Sequence, residues 1–63
     1  MATKVREVLR LVEEDGWFQV RQAGSHRQFH HPLKPGTVTI AGHPSDIMHP
    51  KTLATIKRQA GLK

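Results

Sequence analysis

The chain has 63 residues, with ten Lys and Arg against five Asp and Glu for a formal charge of +5, and it contains no cysteine. That length allows one small core and only a shallow active site, so a single domain over residues 1–63 is expected; the missing thiols exclude cysteine nucleophiles and disulfides. The charge points to a polyanionic partner, while no stretch has the apolar run of a signal or membrane span or the strongly apolar face of a membrane-surface helix, so a cytoplasmic protein without membrane attachment is expected.

In chain order, Val5, Val8, Leu9 and Val12 fall at i, i+3, i+4 and i+7, which predicts a helix over residues 3–14 with Thr3 as N-cap and Gly16 as its stop. The third residue after Thr3 is Arg6, so no capping box is expected. Residues 17–22 and 25–30 read as two strands joined at Ala23-Gly24. A two-residue loop at that point sets Phe18 opposite Phe29 on an apolar face, with Arg21 opposite His26 and Gln19 opposite Gln28 on a polar, basic face; a three-residue loop with a glycine bulge moves this register by one. Pro32 to Gly36 is dense in turn formers, and Thr37 to Ala41 alternates with period two, giving a third antiparallel strand. Pro50 suits a first helical position and Gly61 a stop, so a second helix is expected from Pro50 to Ala60. Leu53, Ile56 and Ala60 face inward, Leu62 folds back on the last turn, and Lys51, Lys57 and Arg58 stay outside. The fold class is α+β in the order α-β-β-β-α, with both helices on one face of a three-stranded antiparallel sheet and the other face open.

The candidate chemistry narrows by residue type. Glu13, Glu14 and Asp15 crowd a helix end where carboxylates are disfavoured and diverge, and Asp46 stands alone in a loop, so metal-dependent hydrolysis fits poorly. Of the five histidines, His30 and His31 read as strand-end surface residues, and His43 and His49, each before a proline, as turn and cap residues. Their spacing matches no familiar zinc pattern, so neither a metal nor another cofactor is expected. His26 stands apart, following Gly24-Ser25 at the start of a strand among basic and hydrogen-bonding neighbours. RNA carries its own nucleophile, the 2′-hydroxyl, so its cleavage needs chiefly a proton acceptor and charge to stabilise the phosphorane. Residues of this kind suit that task, although a lone histidine on a small sheet is more often an ordinary surface residue. Trp17 is available to stack on a base if it faces outward, but packing into the core or at the sheet edge is the commoner fate of a lone tryptophan.

The run Gly16-Trp17-Phe18-Gln19-Val20-Arg21-Gln22-Ala23-Gly24-Ser25-His26-Arg27-Gln28-Phe29 resembles the signature of the HicA-like mRNA interferase toxins: Gly-aromatic, Val-Arg-Gln, Gly-Ser-His, then an apolar strand residue. The similarity continues through His31-Pro32, the third strand, His43 and Pro50 to Leu62, essentially the whole chain. The family often has Val-Pro-x-His where this chain has Ile40-Ala41-Gly42-His43. The resemblance implies a double-stranded-RNA-binding-like fold and a type II toxin-antitoxin toxin. Its activity would be that of an endoribonuclease that cleaves mRNA and halts translation until a HicB-like antitoxin blocks it. It further implies that His26 is the catalytic residue, approached past Gly24 and Ser25; the mechanism expected of these residues has His26 take the 2′-hydroxyl proton while Arg21 or Arg27 stabilises charge on phosphate, with a cyclic phosphate as product. Ser25, Lys51, Lys57 and Arg58 join Arg21 and Arg27 as expected RNA contacts. Two rivals use the same residues: a binding module that clamps structured RNA without cleaving it, and a protein-interaction subunit whose basic face meets an acidic partner.

Overall fold

The computed structural model describes residues 2–62; Met1 and Lys63, the ends of the expected domain, lie outside the described residues. Helix α1 spans Val5–Glu14, strands β2, β3 and β4 span Phe18–Ala23, His26–His30 and Val38–Ile40, and helix α2 spans Pro50–Gln59. Two short strands complete the order, β1 at Thr3–Lys4 before α1 and β5 at Ile47–Met48 before α2, paired antiparallel as Thr3 with Met48 and Lys4 with Ile47. Two-residue strands carry no periodic signal, so this ladder was not legible in the sequence. Its effect is to pin the start of α1: the Val5 and Arg6 amides, unsatisfied within a helix, donate to the carbonyls of Asp46 and Pro44 at 2.9 and 3.0 Å. The N-cap is Lys4 rather than Thr3, and with the frame moved by one residue Glu7 becomes the third helical position, where its carboxylate accepts from the Lys4 amide at 2.7 Å.

Both helices cover one face of the antiparallel sheet β2-β3-β4. Val5, Val8 and Val12 of α1 meet Phe29, Val38 and Ile40 of the sheet and Ile56 and Ala60 at the α2 end, all at 3% exposure or less, with Leu9, Leu53 and Leu62 packed at the margin. Leu62 does fold back, its amide donating to the Lys57 carbonyl at 2.7 Å. Trp17 is in the core at 2% exposure.

One latch joins the ends of both helices to the loop after β3. Gly16 ends α1 with φ of +107°, and a Cβ there would sit 2.8 Å from His31 Nε2, so the stop must be glycine for steric as well as conformational reasons. His31 is not a surface residue: its side chain is 7% exposed and stacks edge-on against Trp17 with ring centroids 5.2 Å apart. Its Nδ1 accepts from the Leu33 and Lys34 amides at 3.0 and 3.1 Å, so Nε2 carries the proton and donates to the Asp15 carbonyl at 2.7 Å. Asp15, one of the three diverging carboxylates at the end of α1, accepts from Lys34 Nζ at 2.5 Å and from the Trp17 indole at 3.2 Å. Lys34 also donates to the Ala60 carbonyl at 3.0 Å, tying the end of α2 to the end of α1.

The Lys34 ammonium holds the Asp15 carboxyl below its ordinary value of 3.8, with the indole hydrogen bond acting the same way and desolvation opposing both. A carboxyl whose folded-state pKa is depressed stabilises the fold above its unfolded pKa and loses that contribution as pH falls through the folded value. The melting temperature of the wild type is therefore expected to drop below about pH 4, and Asp15→Asn, which cannot titrate, to flatten that part of the profile in thermal melts followed by circular dichroism.

Candidate active site on the open sheet face

The turn between β2 and β3 decides what surrounds His26. Ala23 pairs directly with His26, so the two-residue loop is Gly24-Ser25 and not Ala23-Gly24. The reason is conformational: Gly24 has φ of +60° while no residue other than glycine takes a positive φ among those described, the pattern of a hairpin turn with glycine at the first central position. The Gln22 side-chain amide donates to the Gly24 carbonyl at 2.9 Å and fixes the loop from one side.

A bulge then shifts the register between Gln19 and Arg21. Beyond it Phe18 pairs with His30 and Gln19 with Phe29, while Arg21 pairs with Gln28 and Gln22 with Arg27. The expected pairs of Phe18 with Phe29, Arg21 with His26 and Gln19 with Gln28 are thus all replaced. Directly opposed residues share a face and successive residues alternate, so Phe18, Arg21 and Ala23 lie with His26, Gln28 and His30 on the face away from the helices. Thr39, paired with Gln28, joins them. Phe18 and Val20 are exposed at 50% and 44%, and the core place expected of Phe18 belongs to Trp17. Two adjacent aromatics at a strand start cannot both face inward, and that was a usable sign in the sequence that one of them lies outside.

Arg21, Ala23, His26 and Gln28 line a shallow depression of about 290 Å³. Arg21 is diagonal to His26, a separation of about 7–8 Å between backbones that an arginine side chain spans easily. His26 is exposed, and among the described residues no side chain hydrogen-bonds its ring, so it is free to reach a ligand. The depression falls just under the roughly 300–1,000 Å³ of enclosed small-molecule pockets, which suits a polymer lying across the face better than a ligand engulfed by it.

The sequence groups Arg27 with His26; the structure separates them. Arg27 pairs with the buried Ile40 on the helix side of the sheet, and its guanidinium donates to the Gly42 carbonyl at 3.1 Å. There it bridges β3 to the loop after β4, at the place where the Val-Pro-x-His pattern is missing. Ser25 is half-buried in the turn beside His26. Lys51 and Arg58 are exposed on α2, and Lys57 is half-buried on the rim of the groove between the helices, which Val8, Leu11, Leu53 and Glu7 also line. All three cations belong to the helical layer, on the other side of the sheet from His26. Lys57 and Arg58 in the last turn of α2 also complement the helix dipole, a structural reason for their presence.

The remaining histidines take separate roles. His49 caps α2, Nδ1 accepting from the Lys51 amide at 3.1 Å, and His43 closes a turn with Asp46, whose carboxylate accepts from the His43 amide at 3.0 Å. His30, on the open face, lies 3.2 Å from the Thr37 hydroxyl. Among the described residues no three His, Cys, Asp or Glu side chains gather as a metal site, and no helix is long and apolar enough to cross a membrane.

Among known proteins, the family model for the HicA toxin of bacterial toxin-antitoxin systems matches residues 5–62. A chain in the solved structure of a toxin-antitoxin complex from Streptococcus pneumoniae is 27% identical, with 94% of this chain and 97% of that one covered and a TM-score of 0.75. No curated protein matches the chain.

Proposed function

The chain belongs to the HicA toxin family of bacterial toxin-antitoxin systems, and from that membership we propose that it is a metal-independent endoribonuclease that cleaves mRNA with His26 as its one catalytic side chain. The observation that carries this reading is the exposed His26 beside Arg21 on an open face that bears no carboxylate. His26 takes the proton of a ribose 2′-hydroxyl as that oxygen attacks the adjacent phosphorus. The bond from phosphorus to the 5′-oxygen breaks and that oxygen takes up a proton from water, leaving a 2′,3′-cyclic phosphate on one product and a 5′-hydroxyl on the other. Arg21 stabilises the charge that develops on the phosphoryl oxygens, and Ser25 shapes the approach to His26. Arg27 keeps its place in the proposal only as a support for the β3–β4 edge, since its guanidinium is committed to Gly42.

Lys51, Lys57 and Arg58, in the helical layer behind the sheet, contact the phosphate backbone only where a longer RNA runs around the domain, away from the strand at His26. Neutralising any one of them is expected to weaken binding uniformly across sequences and to reduce the slope of log affinity against log salt by about one, read by fluorescence anisotropy over a salt series. The partner that restrains the toxin is an antitoxin, a reading supported by the similar chain from a toxin-antitoxin complex, and the family resemblance makes that antitoxin HicB-like. The decisive experiment incubates the purified protein with RNA in excess chelator and identifies the new ends. Cyclic phosphate termini, and no cleavage where a 2′-deoxy sugar replaces the ribose, are expected. Binding without cleavage would leave the chain a non-catalytic RNA-binding module.

A further inference from the structure

Phe18 is a large apolar side chain left half in water, and the fold gives it a particular companion. The bulge at Val20 puts it directly opposite His30 on the same face as His26. His26 and His30 lie four residues apart on β3, about 13 Å along the strand, a distance that a few unstacked nucleotides bridge. One end of the face therefore offers a proton acceptor and a cation, and the other offers two flat rings. None of the five carboxylates lies on it: Glu7, Glu13 and Glu14 belong to α1, Asp15 to its end and Asp46 to the loop before β5.

We propose that Phe18 and His30 form a base-stacking subsite, so that the substrate is single-stranded RNA laid along β2 and β3, with an unpaired base on Phe18 and the scissile phosphate at His26. The proposal rests on the ribonuclease reading for the identity of the strand, and it adds the strandedness of the substrate and the residue that selects it. Aromatic rings bind any base through its π-face, whereas the bases of a duplex are stacked on one another and present no free face. The charge of this face suits a polyanion. Pairing with a second copy through β2 is opposed by the bulge and by Arg21, both of which blunt an exposed sheet edge.

The test measures binding of fluorescein-labelled 2′-deoxy single strands, which cannot be cleaved through a 2′-oxygen, to wild type, Phe18→Ala and Phe18→Tyr. A matched duplex and a strand carrying abasic sites serve as competitors for the same proteins. Phe18→Ala is expected to bind the intact strand about tenfold more weakly, with Phe18→Tyr close to wild type and affinity for the duplex and the abasic strand unchanged in all three. Equal affinity of Phe18→Ala and wild type for the intact strand, or an equal loss on the abasic strand, would overturn the subsite. So would a Phe18→Ala protein that keeps full strand binding but no longer captures its antitoxin, which would make the patch a protein contact. Cleavage assays separate the two readings: a wild type that binds strands through Phe18 but leaves RNA intact removes the ribonuclease, and one that cleaves without help from Phe18 removes the subsite alone.

Discussion

Replacing His26 by alanine is expected to lower the rate of RNA cleavage by about 10²- to 10⁴-fold, the range for loss of a positioned general base, while leaving the fold intact. The side chain is exposed and, among the described residues, has no hydrogen-bond partner, so its loss opens no cavity and strands no polar group. In cells, wild type induced without an antitoxin should degrade mRNA and arrest growth, and His26→Ala at matched protein level should do neither. Arg21→Ala is the informative companion, because an interaction made with the developing charge appears in the turnover number as well as in binding. If wild type and His26→Ala degrade RNA equally, His26 is not the base and another group on this face carries the chemistry.

Phe29→Ala is expected to unfold the domain. Phe29 sits at 1% exposure on the central strand, paired with Gln19 on one side and Val38 on the other, and it is among the largest fully buried side chains. Truncating a buried phenylalanine costs about 3–5 kcal/mol, and a core of this size rarely supplies more than about 3–5 kcal/mol in total. The variant should therefore show no cooperative melt by circular dichroism at neutral pH, while Phe18→Ala, eleven positions earlier in the sequence and on the open face, should melt close to wild type. A cooperative Phe29→Ala transition within a few degrees of wild type would mean that the core is carried elsewhere.

The two phenylalanines show how far the sequence alone reaches. Helix α1, the third strand and helix α2 were legible because each carries its own period: the valine stripe, the alternation through Val38 and Ile40, and the proline and glycine that bracket residues 50–61. The α+β class, the inward set on α2, the return of Leu62 and the family resemblance centred on Gly24-Ser25-His26 follow from local chemistry of that kind. What surrounds His26 was decided at longer range. Side-chain direction in a hairpin depends on a single residue of register, and that register was set jointly by the need for Gly24 at the first turn position and by the bulge at Val20, beyond which Phe18 faces outward and Trp17 is buried. Arg27 went to the helix side, Phe18 to the open side, and Arg21 stayed with His26 but one pair away. The latch of His31, Asp15 and Lys34 was equally hidden, because His31 and Lys34 are distant in sequence from Asp15 and Ala60 and meet them only when both helices close on the sheet. Composition and periodicity determined that two helices and three main strands form and that one sheet face stays open; only the tertiary structure decided which side chains share that face, because a strand turns its side chains over with every residue and only pairing partners fix the count.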